Sequence, residues 1–122
     1  MKQVRIRNTT NSALRDMKVG YCSSFLCRFK GLMFHPDLGE FEGLLLVEDI
    51  ESRTNSAIHM FFMRFDIAVV WINSQFQVVD VQVARKWHPF YVPAVKSRFT
   101  LETHPDRALD FRIGDILSFN DV

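Results

Sequence analysis

The sequence predicts a mainly β domain: a small antiparallel β-barrel or jelly-roll-like sandwich with one or two short helices. Three observations lead there. The apolar runs beyond Gly43 have strand length rather than helix length. Short polar, turn-rich segments such as Asn73-Ser74-Gln75 separate them, as hairpins require. Finally, strand-like and helix-like segments do not alternate, so a parallel α/β sheet is not expected.

Taken in order, Gln3 to Arg7 alternates polar and apolar and reads as a half-exposed first strand. Asn8 to Ser12 is turn-rich, and Ala13 to Val19 is a weaker candidate strand. Ser23 or Ser24 can cap a helix in which Phe25, Leu26, Phe29 and Leu32 recur at helical spacing, with Gly31 suited to its end. Gly43 to Val47 reads as a buried strand, Glu48 to Ser56 as a polar connection, and Ala57 to Phe62 and Ile67 to Ile72 as two more strands. Phe76 to Ala84 returns from the hairpin, with Val79, Val81 and Val83 expected on one face. Pro89 and Pro93 make Trp87 to Val95 a surface loop. Phe99 to Thr103, a short helix over Pro105 to Leu109, and a strand over Ile116 to Phe119 complete the chain. Phe62, Ile67, Val69 and Trp71 are expected in the core.

Length and composition fit one domain over residues 1–122 with one core, since 48% of its 122 residues are apolar and twelve are Phe. A formal net charge of +1 gives no broad field for nucleic acid or an anionic membrane, so neither partner is expected. No apolar run reaches the roughly 20 residues of a membrane helix, and Met1 to Asn8 has no apolar segment behind it to make a secretory signal. Cys22 and Cys27 lack zinc-site spacing. On one helix, five steps would turn them apart, so two free thiols in a reducing cytoplasm are expected. His35, His59, His88 and His104 show no ligand spacing, so no metal and no cofactor is expected.

Several segments together carry a resemblance. They are Arg28-x-x-Gly31-Leu32-Met33-Phe34, Gly43-Leu44-Leu45-Leu46, Ile58-His59-Met60-Phe61-Phe62-Met63-Arg64-Phe65, Leu101-Glu102 and Gly114-Asp115. Their order resembles the family called domain of unknown function 192, over about residues 14–119. The resemblance implies a small β-barrel or jelly-roll-like sandwich and supplies no agreed reaction. Where the family pattern continues Pro-Ile-Asp, this chain has Asp66-Ile67-Ala68. The strand-borne acid is thus replaced by Ala68, with Asp66 as a partial stand-in.

The candidate site residues are His59, Arg64, Asp66, Trp87 and Glu102. His59 could hold a ligand or move a proton near neutral pH, or be satisfied by a single hydrogen bond. Arg64 sits in a stretch expected to be largely buried. It would need Asp66, Glu102 or a bound anion as partner. Glu102 points opposite to Leu101 and is expected on the surface. Trp87-His88-Pro89-Phe90-Tyr91 could stack on a ligand, or plug one end of the barrel with its rings. No phosphate loop or activated nucleophile is visible. These features favour a non-catalytic module for a small polar or sugar-like ligand. The alternatives are a hydrolase or isomerase using His59 with a carboxylate, and an accessory protein-interaction domain.

Overall fold

The computed structural model describes residues 1–122. The strands are β1 (Gln3–Asn8), β2 (Met17–Cys22), β3 (Gly43–Ser52), β4 (Ile67–Ile72), β5 (Val78–Ala84), β6 (Ser97–Thr103) and β7 (Leu117–Asp121). A single α-helix, α1 (Phe25–Lys30), follows β2, and a 3₁₀ turn spans Pro105–Asp110. The strands form one seven-stranded sheet in the order β5-β4-β6-β3-β2-β1-β7. Its two edges are stitched at one end, where Gln77 bridges Ile116 and the Val78 amide donates to the Asp115 carbonyl at 2.8 Å. The sheet therefore curls into a half-barrel, the architecture expected. All its ladders are antiparallel except β2 with β3. That pair is parallel because α1 lies in the crossover between the two strands.

Side-chain alternation gives the sheet two apolar faces. Val70 and Ile72 of β4 point into the half-barrel with Ile6, Val19, Leu45 and Leu101. Ile67, Val69 and Trp71 point out, against Leu44, Leu46, Met60 and Met63. Strand β4 is buried along its whole length because both faces are covered. Trp71 is fully buried, and its indole N–H donates to the Ser56 carbonyl at 2.8 Å.

Several expectations are corrected. Residues 57–62 form no strand; Ile58 makes one isolated bridge to Tyr91. Ile58 and Met60 anchor this segment to the outer face, while Phe61 and Phe62 turn outward. Phe62 is 45% exposed and is not core, unlike Ile67, Val69 and Trp71. Strand β3 continues through Glu48 to Ser52, past the predicted end at Val47. In β5 the pairs Trp71–Asp80 and Ile72–Val78 leave Val79 as an extra residue. This bulge reverses the alternation, so Val79 packs on the outer face and Val81 on the inner.

The cysteines are also corrected. Cys22 and Cys27 form a disulfide, with Cα atoms 5.6 Å apart. The two thiols would be turned apart only if both lay on one helix. Cys22 instead ends β2, Cys27 lies inside α1, and the turn at Ser23-Ser24 brings them together.

Candidate functional site

Ser24 caps α1: its Oγ accepts the Cys27 amide at 3.2 Å. Gly31 ends the helix at φ 49°, a backbone conformation that favours glycine, and its amide donates to the Cys27 carbonyl at 2.9 Å. Only Leu32 of the expected apolar stripe is buried; Phe25, Leu26 and Phe29 are exposed. The helix stands off the sheet, leaving a cavity of about 350 Å³ between α1, residues 55–63 and the outer face of β3 and β6. Leu46, Thr100 and Glu102 line it from the sheet, Arg28 and Phe29 from the helix, and His59 from the segment opposite.

Glu102 is the unusual group. It lies between Leu44 and Val69 in the sheet, 5% exposed, because α1 and Gly31 cover a face that would otherwise be solvated. Its Oε1 has no hydrogen-bond partner. Burial pushes its carboxyl up to about 7. Gly31 packs so closely that a Cβ there would lie 3.1 Å from Oε1.

The second carboxyl, Glu48, pairs with Arg28 at 3.2 Å. Burial raises its pKa, and Arg28 opposes that shift. Arg28 also donates to the Ser23 carbonyl. The His59 ring joins two elements: Nε2 lies 3.0 Å from the Phe29 carbonyl, and Nδ1 accepts the Phe61 amide at 3.3 Å. The neutral tautomer with hydrogen on Nε2 satisfies both contacts. His59 thus ties the 59–61 segment to α1.

Of the five expected site residues, the structure brings His59 and Glu102 to one cavity. Arg64 is exposed and forms no ion pair with Asp66 or Glu102. Of the stretch Phe61 to Asp66 only Met63 is buried, and Arg64 itself faces solvent, so its guanidinium needs no partner. Asp66 accepts the Lys86 amide at 2.9 Å and fixes the start of the next loop. That loop is tied down by its backbone, the Trp87 amide donating to the Met60 carbonyl at 2.8 Å. Its rings do not plug the half-barrel: Trp87 is 54% and Phe90 65% exposed. Ala68 is fully buried on the face opposite to Val69 and Glu102, so it does not border the cavity.

Arg28, Gly31 and Glu48 border the cavity as well, although no chemical motif in the sequence marks them as site residues. Their available signal was the Arg28-x-x-Gly31 spacing, which sets the two residues one helical turn apart, and a carboxylate directly after the buried run Leu44 to Val47.

Beside the cavity runs a string of rings, all exposed except the half-buried His59. Phe25, Phe29, His59, Phe61 and Phe90 follow one another at centroid spacings of 6.3, 5.2, 5.7 and 6.3 Å. Phe34, Phe62 and Trp87 form a second group at 5.1 Å spacings, with φ values of 65°, 61° and 66°. Holding a bulky side chain in that region costs about 1–2 kcal/mol per residue.

These features define a class: a half-barrel β domain with a partly polar cavity under its one α-helix. The family model for DUF192, described as "Uncharacterized ACR", matches residues 6–119. A UPF0127 protein of Thermococcus gammatolerans is 37% identical over 117 residues, covering 94% of this chain and 74% of that one. One from Pyrococcus furiosus is 34% identical over 115 residues, covering 93% and 96%. The chain belongs to this family, as its motifs implied. In structure it is similar to a Sinorhizobium meliloti protein solved as a candidate transcription regulator. That match has a TM-score of 0.83 at 16% identity and covers 97% of this chain and 92% of that one. A protein of unknown function from Novosphingobium aromaticivorans gives 0.79 at 17% identity, covering 95% and 83%. These two likenesses concern the fold. No helix is long and apolar enough to cross a membrane. The disulfide stands where two free thiols in a reducing cytoplasm are expected from the sequence.

Proposed function

We propose that the domain is a non-catalytic binding module whose cavity under α1 takes a small polar, hydroxyl-bearing ligand such as a sugar. The observation that carries this is the Glu102 carboxyl, buried at the cavity with Oε1 unpartnered. A buried acceptor left empty costs about 1–3 kcal/mol, and a ligand hydroxyl donating to it would recover much of that. The rest of the lining suits the same chemistry. Glu48 offers a second acceptor, and Leu46, Ile58 and Met63 give an apolar wall for the C–H face of a ring. Both ring nitrogens of His59 are engaged, so a role as ligand-positioning strut fits better than one as a free base. Arg64, Asp66 and Trp87 lie outside the lining of this cavity.

The test is a thermal-shift screen against sugars, nucleotides, organic acids and metal ions. A cavity ligand at 100 times its Kd stabilises the fold by about 2.7 kcal/mol. Glu102→Met keeps the length of the side chain and removes both oxygens, so it should weaken a ligand whose hydroxyl donates to Oε1 at least tenfold. A ligand whose affinity ignores Glu102→Met does not donate to this carboxyl, and the reading fails for it.

A further inference from the structure

We infer that the Cys22–Cys27 disulfide is a redox latch on the cavity: oxidised, it pins α1 down beside Glu102, and reduced, it lets the helix lift and opens the site to water. This rests on the cavity reading and adds to it the regulation of that site.

The roof of the cavity does little to hold itself in place. α1 is six residues long and buries none of its side chains. Isolated helices need roughly 12–15 residues to be even marginally stable in water, so α1 keeps its shape through its ties to the rest of the fold. Two of those ties are single polar contacts that water can replace. Arg28 meets Glu48 at 3.2 Å, and the Phe29 carbonyl lies 3.0 Å from Nε2 of His59. The disulfide is the covalent tie, and it joins α1 to the end of β2, where Cys22 is buried in the outer-face core. It also closes the turn that forms the helix. The Cys27 carbonyl accepts the Gly31 amide, and the Ser24 carbonyl accepts the Arg28 amide at 3.0 Å. Just beyond the helix Leu32 is buried, so the chain stays anchored there and Gly31, at φ 49°, is the pivot. Release at Cys27 therefore lifts Arg28 and Phe29, which line the cavity, and lets water reach the Glu102 carboxyl.

The bond is also open to attack from one side. Cys22 is 1% exposed, whereas Cys27 is half-buried and borders a second hollow, of about 410 Å³, together with Lys30 and His35. A dithiol reductant thus meets Cys27 first. Its thiolate attacks the Cys27 sulfur, the S–S bond breaks, and the Cys22 sulfur leaves with the electron pair and takes up a proton. The second thiol of the reductant then attacks the reductant's own sulfur in the mixed disulfide and frees Cys27 as a thiol. The protein gains two electrons and two protons, and the dithiol becomes a disulfide.

The experiment follows the whole protein by NMR, oxidised and then reduced with dithiothreitol. The side-chain carboxyl signal of Glu102, identified by its loss in Glu102→Gln, is titrated in both forms. It should titrate near 7 when oxidised and fall by at least one pH unit, toward the ordinary 4.5, when reduced. Amide exchange at Arg28 and Gly31 should quicken at least tenfold on reduction, while the amides of β4 stay protected. Cys27→Ala cannot form the bond, so it should resemble the reduced protein with or without dithiothreitol. A Glu102 titration and Gly31 protection that ignore both reduction and Cys27→Ala overturn the latch and leave the cavity reading standing. Loss of protection in β4 along with α1 also overturns it, because the disulfide would then hold the whole fold rather than the helix. Titration near 4.5 in the oxidised protein overturns the latch and the unpartnered acceptor beneath it together.

Discussion

Replacing Glu102 by Gln should change how stability depends on pH, in a direction and by an amount that follow from its burial. The carboxyl titrates near 7 in the folded protein, against about 4.5 ordinarily. The folded state therefore holds this proton more tightly than the unfolded chain does. Its contribution is fully present below pH 4.5 and is lost as pH rises toward 7. At about 1.4 kcal/mol per pH unit over that interval, ionising Glu102 costs the fold about 3 kcal/mol by pH 8. A glutamine amide does not titrate. Urea midpoints for both proteins at pH 4.5, 6, 7 and 8 would measure the difference. The wild type should lose about 3 kcal/mol more than the variant between the ends of that range. Glu48, also raised by burial, is common to both proteins and cancels in the comparison. Parallel profiles for the two proteins would mean that Glu102 is hydrated, and the argument for an unpartnered buried acceptor would fail with it.

Three further outcomes are expected. Reducing the Cys22–Cys27 disulfide reopens a loop of six residues and should lower stability by about 2 kcal/mol; a midpoint indifferent to reductant would show that the bond is not formed in solution. Gly31→Ala forces a Cβ to 3.1 Å from the Glu102 carboxyl at a φ of 49°, so it should cost about 1–2 kcal/mol and perturb any cavity ligand; a neutral result on both readouts would place Gly31 away from Glu102. Phe62→Ala should cost about 1 kcal/mol or less rather than the 3–5 of a buried ring, because Phe62 is half-exposed at φ 61°; a loss above 3 kcal/mol in a denaturant titration would return it to the core.

How legible each part was depended on whether the relevant forces are local. Ile67 to Ile72 has strand length and β-branched content, and it is a strand over that whole range. Ser24 and Gly31 bracket α1 as capping chemistry requires. The bulge at Val79 was not legible, because the alternation of Val79, Val81 and Val83 is intact in the sequence and only pairing with β4 breaks it. Ala57 to Phe62 looked like a strand because anchored and outward-facing apolar residues share one composition. Glu102 was assigned the right direction but the wrong surroundings. Its alternation with Leu101 is local, whereas the helix covering it comes from 70 residues earlier. The disulfide was missed for a related reason, since the junction of strand and helix at Ser23-Ser24 sets the distance between the cysteines. Of the site, His59 and Glu102 were visible as residues, but their shared cavity was not, because it depends on where α1 settles.

The seam between Gln77 and Ile116 bears on how this protein behaves when crowded. An open sheet leaves two rows of unpaired amides and carbonyls, each a template for another chain. Here β5 and β7, the outermost strands, spend part of that capacity on each other. Beyond the seam, β7 ends in Asn120 and Asp121, and Lys2 pairs with Asp121 at 3.2 Å. On β5, Asp80 turns its carboxylate back to the Val81 and Ala94 amides. Curling the sheet thus closes one end of the adhesive borders that would otherwise invite strand-by-strand growth. A fold so guarded can leave a broad aromatic face open to solvent without that face seeding fibrils.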